Sequence, residues 1–88
     1  MKAVIYRIHG RVQGVGFRYF VYRRARTFGI MGYVQNEADG TVTVLAQGSD
    51  ESLSEFEQEL KQGPSLSNVR YVEKWEVPVE TYDDFEIR

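Results

Sequence analysis

Val4-Ile5-Tyr6-Arg7-Ile8-His9-Gly10-Arg11-Val12-Gln13-Gly14-Val15-Gly16-Phe17-Arg18-Tyr19-Phe20-Val21 changes its hydrophobic period halfway along. Over residues 3–9, Val4, Tyr6 and Ile8 alternate with Ile5, Arg7 and His9, the period of a half-buried strand. From Phe17 the period is helical: Phe17, Phe20, Val21, Ala25 and Phe28 form one stripe, with Arg23, Arg24 and Arg26 mainly off it. Gly29 suits the position just past the end of such a helix. Residues 10–16 between strand and helix read as a glycine-rich loop.

The rest of the chain supplies partners for this unit. Residues 30–36 read as a second strand, and Asn36–Gly40 as a hairpin turn carrying an Asp-Gly signal. Residues 41–47 are its partner, with Val42, Val44 and Ala46 on one face and Thr41, Thr43 and Gln47 on the other. Ser49 or Asp50 caps a second helix bearing Leu53, Phe56 and Leu60, which ends near Lys61 before Gly63-Pro64. Residues 69–77 form a long strand stopped by Pro78, and Phe85 with Ile87 suggests a short final strand. The order β-α-β-β-α-β plus one more β predicts an α+β, ferredoxin-like sandwich, with two helices on one face of a mostly antiparallel sheet. Right-handed crossovers make the first two strands parallel, with the third antiparallel between them. The loop after the first strand and the end of the second then share one edge, roughly 10 Å apart. This geometry converges on Arg18 and Asn36.

The chain has 88 residues, which suits one domain over residues 1–88. No cysteine is present, which removes disulfides, thiolate metal sites and a cysteine nucleophile; a single histidine, His9, removes a multi-histidine cage. No apolar run approaches the roughly 18 residues of a membrane span, and Arg7 interrupts any signal-peptide core. A cytoplasmic protein is the default expectation. The net charge of -2 argues at first against an anion site. It is an average: residues 1–36 hold Lys2, Arg7, Arg11, Arg18, Arg23, Arg24 and Arg26 and no acid, whereas all 13 acids lie in residues 37–88. The basic excess brackets the glycine-rich loop.

That loop has the makings of an anion cradle. Gly14 and Gly16 permit positive φ, so that backbone N–H groups can point inward, and the first turn of the following helix adds its own free N–H groups. Arg18 sits in that turn, where the helix dipole disfavours a cation by roughly 0.3–1 kcal/mol unless an anion offsets it. A guanidinium fits a phosphate with two parallel hydrogen bonds. From the residues alone, a plain turn with an exposed arginine remains open. Neither the dinucleotide nor the nucleotide P-loop pattern is completed: Tyr19 stands where a third glycine would be, and no Gly-Lys-Ser/Thr follows.

The other candidate residues read more plainly. His9 faces away from the Val4/Tyr6/Ile8 side as a sheet-face residue. Asp39-Gly40 is turn chemistry. Glu55, Glu57 and Glu59 read as a solvated helix face. Tyr19 and Tyr22 are packing or rim residues with no assigned role. Gly16–Tyr22 echoes the aromatic strand of RNA-recognition modules, but it has helical periodicity. The third strand, Thr41–Gln47, has no aromatic to stack a base. No nucleic-acid or membrane partner is expected. A non-catalytic anion sensor, or a module of a larger carbamoyl-transfer protein, stays open; the end at Arg88 without a linker favours a free-standing enzyme, and a monomer is expected.

Two blocks, Gly10–Arg18 and Gly32-Tyr33-Val34-Gln35-Asn36-Glu37-Ala38-Asp39-Gly40-Thr41-Val42, resemble the two signatures of the acylphosphatase family. Gly63-Pro64, Val69 and Phe85–Ile87 also sit as in that family, so the resemblance spans the chain; Ser65 replaces a proline common after the Gly-Pro pair. It implies hydrolysis of the carboxyl–phosphate bond of acyl phosphates, with no metal, cofactor or covalent intermediate. It implies a phosphate-binding loop of Val12, Gln13, Gly14, Val15, Gly16, Phe17 and Arg18. Arg18 is implied to hold the phosphate and Asn36 to orient the attacking water. Inorganic phosphate is then both product and inhibitor.

Overall fold

The alternating segment resolves into strand β1, Lys2–Arg11, in a computed structural model that describes residues 1–88. Helix α1 is Phe17–Thr27, β2 Met31–Asn36, β3 Val42–Gly48, α2 Asp50–Gln62, β4 Asn68–Val77 and β5 Phe85–Ile87. The strands lie in the order β4-β1-β3-β2-β5. The pairs β1–β3, β1–β4 and β2–β3 are antiparallel, and β2–β5 is parallel. β1 and β2 therefore run the same way with β3 between them, as the crossover rule requires.

One boundary differs from its sequence reading by more than a single residue. β1 continues through Gly10 and Arg11, residues that the glycine content assigns to the loop. The cause lies in β4. The β1–β4 register shifts between His9 and Gly10, a bulge that lets pairing resume at Gly10–Val69 and Arg11–Asn68. A Cβ at Gly10 would overlap the Asn68 carbonyl and the Arg70 amide, so only glycine admits this approach.

The helices cover one face of the sheet. Phe17, Val21 and Ala25 of α1 and Leu53, Phe56 and Leu60 of α2 are buried with Tyr6, Ile8, Val34, Val42, Val44 and Ala46. Burying a side chain such as Phe17 or Phe56 contributes roughly 1.5–3 kcal/mol relative to exposing it. The second face is only partly open. Residues 78–84 must pass from the β4 edge to the β5 edge. On the way Gln47 donates from Nε2 to the Glu80 carbonyl at 2.6 Å and accepts from the Glu80 N–H at 3.0 Å. Thr41, Thr43, Leu45 and Gln47, which alternation leaves on the far face, are buried as well.

α2 corrects a second expectation. Only Glu55 fits the solvated face. Glu57 lies against Lys74 at 2.7 Å and Lys61 at 3.1 Å with a side chain just 15% exposed, and Glu59 meets Arg24 of α1 at 2.6 Å. Burial opposes the Glu57 charge, but the two lysines prevail and hold its carboxyl below the usual glutamate value.

Candidate active site

The segment between β1 and α1 is anchored at both ends by the core, through buried Val12 and Phe17. Gly14 (φ 72°) and Gly16 (φ 76°, ψ 19°) are left-handed, as the loop reading predicts, and Gly16 is the N-cap of α1. No side chain caps this helix, and no acid lies in its first turn. The first N–H here to find a backbone acceptor is that of Phe20, bonded to the Gly16 carbonyl at 3.1 Å. The N–H groups from Val12 to Tyr19 have no such partner within the chain. α2 shows the ordinary solution: Ser49 accepts from the Ser52 N–H at 3.1 Å, with Asp50 and Glu51 in the first turn.

Arg18 projects from this uncapped turn. Its Nη1 donates to the main-chain oxygen of Arg88 at 2.8 Å, and it forms no ion pair with any side-chain carboxylate. Arg88 is itself fixed. Its N–H donates to the Val34 carbonyl at 2.8 Å, and its guanidinium lies 3.9 Å from the centre of the Tyr33 ring. Parallel pairing of β5 with β2 thus carries Arg88 to Arg18.

Asn36 is the last residue of β2, on the same face as Val34 and hence on the helix side of the sheet. Its side chain makes no intramolecular hydrogen bond within the site. Together with Val12, Gly14, Gly16, Phe17, Arg18, Tyr19 and Ile87 it lines one cavity of about 280 Å³. Two long-separated signals thus meet, as the topology predicts.

Gln13 and Val15, which belong to the expected phosphate-binding loop, do not line this cavity. Val15 packs on the core. Gln13 is a strut: Nε2 donates to the carbonyls of Glu37 at 2.8 Å and Thr41 at 2.9 Å, tying the loop to both ends of the β2–β3 turn. Sequence reasoning missed this role, and it missed Ile87 as a cavity residue; a parallel β5 beside β2 was the signal needed for both Ile87 and Arg88.

The remaining candidates lie elsewhere. His9 stacks on Tyr71 at 4.1 Å, and its Nε2 is 2.7 Å from Glu73. Asp39 accepts from the Thr41 hydroxyl at 2.6 Å and its N–H at 3.0 Å, which together lower its pKa below the usual aspartate value. A larger cleft of about 430 Å³ lies between α2 and β4, but its charges answer one another in Lys2–Asp50 and Lys74–Glu57. No helix is long and apolar enough to cross a membrane.

The chain is similar to known proteins over nearly its whole length. The family model described as Acylphosphatase matches residues 4–87. An acylphosphatase of Archaeoglobus fulgidus is 48% identical over 80 residues, 91% of this chain and 90% of its own length. One of Thermotoga maritima is 44% identical over 88 residues, 100% of this chain and 98% of its own length. The crystal structure of acylphosphatase from Bacillus subtilis superimposes with a TM-score of 0.98 at 37% identity, covering 100% of this chain and 99% of that one. Since the match runs through the loop, both helices and every strand, the chain belongs to the acylphosphatase family.

Proposed function

We propose that this protein hydrolyses the carboxyl–phosphate bond of acyl phosphates by direct attack of water. The observation that carries this reading is the convergence of an unpartnered row of N–H groups, the Arg18 guanidinium and Asn36 on one cavity. The N–H groups and Arg18 bind the phosphoryl oxygens and stabilise charge as it redistributes in the transition state. The Asn36 amide hydrogen-bonds a water and holds it in line with the scissile bond. The water oxygen bonds to phosphorus, the phosphorus–acyl oxygen bond breaks, and its electron pair leaves with the carboxylate. The conjugate acid of that leaving group has a pKa near 4, so little protonation is required. The water's proton passes to a non-bridging phosphate oxygen of the substrate. No protein general acid is needed, in keeping with a cavity whose only titratable side chains are those of Arg18 and Tyr19.

The test is benzoyl phosphate hydrolysis by the wild type and three variants. Arg18→Ala should lose both phosphate binding and at least about 10³-fold in kcat/KM. Arg18→Lys should fail nearly as badly, because a point charge cannot replace the two-pronged guanidinium. Asn36→Ala should retain phosphate binding while kcat falls about 10²–10³-fold. Wild-type rates no faster than buffer would sink the reading and leave an anion-binding module. Substantial turnover by Asn36→Ala would remove Asn36 from it.

A further inference from the structure

We propose that Tyr19 and Ile87 form the seat of the substrate's acyl group and select aromatic or branched apolar acyl phosphates over small ones. This rests on the acyl phosphate reading. Among the large apolar side chains left exposed, Tyr19 (59%) and Ile87 (44%) alone line the cavity that holds Arg18 and Asn36. The others, Met1, Met31, Leu66, Tyr71, Trp75 and Val79, lie away from it. Single exposed apolar side chains are ordinary, but two that line one polar cavity offer a ligand there an apolar wall.

Their placement follows from the contacts of Arg18. Tyr19 follows Arg18 in the chain, and Ile87 precedes Arg88, whose main-chain oxygen accepts from Arg18. The two apolar groups line the same cavity as the guanidinium, one from α1 and one from β5. Side chains on a helix lean toward its N-terminus, which directs Tyr19 toward the loop. The next turn supports the ring: Tyr22 stacks at 6.2 Å and the Arg23 guanidinium lies 5.9 Å from its centre. Ile87 pairs with Val34, two residues before Asn36 on the same face of β2. With the phosphate against the loop, the acyl group has to leave toward the mouth, between these two side chains. A phenyl or branched alkyl group offers these two side chains more apolar surface to cover than an acetyl group does.

The experiment compares benzoyl phosphate with acetyl phosphate in the wild type, Tyr19→Ser, Tyr19→Phe, Ile87→Thr and the Tyr19→Ser/Ile87→Thr double variant. The ratio of kcat/KM for benzoyl to that for acetyl phosphate should fall about tenfold in the double variant, the scale of one lost aromatic contact with its buried area. The change should lie in KM for benzoyl phosphate. Acetyl phosphate turnover and inhibition by inorganic phosphate should stay at wild-type values, and Tyr19→Phe should keep the full ratio. An unchanged ratio, or an equal loss on both substrates, overturns the proposal while leaving the hydrolysis reading intact. A wild type that turns over neither substrate removes the hydrolysis reading and this one with it.

Discussion

Replacing Gly16 by alanine separates the conformation of the loop from its packing. Gly16 has φ 76° and ψ 19°, and nothing lies within 4 Å of where a Cβ would stand. The substitution therefore meets no clash, and its cost is that of holding an L-residue in the left-handed region, about 1–2 kcal/mol. Alanine also restricts the unfolded chain, which offsets about 0.4–1 kcal/mol. A net loss of about 1 kcal/mol remains, and for a domain of this size that lowers Tm by about 4–8 °C. The chain can relieve the strain by rotating Gly16 out of the left-handed region, but the N–H groups of the loop and first helical turn then swing away from the cavity. Inorganic phosphate should accordingly bind at least about tenfold more weakly, equivalent to about 1.4 kcal/mol. Asparagine tolerates the left-handed region, so Gly16→Asn should recover much of both losses. Thermal unfolding with and without phosphate, together with calorimetric titration, measures the two effects. Wild-type Tm and affinity in Gly16→Ala would refute the left-handed cap. A lowered Tm with undiminished affinity would refute the assignment of these N–H groups as the phosphate cradle.

Three further outcomes follow from other contacts. Gln13→Ala removes the strut between the loop and the carbonyls of Glu37 and Thr41; kcat should fall more than phosphate affinity, and equal losses in both would argue against a role in aligning Asn36 with the loop. Glu57 has a lowered pKa in the fold, so its ion pairs stabilise the protein above the ordinary glutamate value of about 4.3 and lose that effect as pH falls through the lowered value. Glu57→Gln should thus lower Tm at pH 7 and flatten its fall between about pH 5 and pH 3, and parallel Tm profiles for the two proteins would contradict the shift. Inorganic phosphate at about 100 times its Kd should stabilise the wild type by about 2.7 kcal/mol, and Arg18→Ala should lose most of that gain in a thermal-shift titration.

Much of the site was legible because its determinants are local. The switch from period two to period 3.6 around Gly14 and Gly16 is written in consecutive residues, as is the hairpin signal at Asp39-Gly40. The handedness of crossovers then brings Arg18 and Asn36 to one edge without any knowledge of side-chain packing. What stayed hidden depends on pairings between distant segments. Glu57 looks like one of three equivalent acids on a helix, and only the approach of Lys74 from β4 sets it apart. Gln13 looks like a member of the loop, and only the fold of the β2–β3 turn supplies its acceptors.

The sequence by itself determined the order of elements, the positive-φ loop and two residues, Arg18 and Asn36, that line one cavity, because backbone periodicity, glycine freedom and crossover chirality act over short stretches. The tertiary structure decided how far β1 extends, since its last residues pair with β4 across a bulge. It also decided what holds Arg18 and what rims the cavity. A three-residue β5 carries too little pattern to reveal that it pairs parallel with β2, yet that pairing delivers the Arg88 oxygen to Arg18 and Ile87 to the mouth of the site.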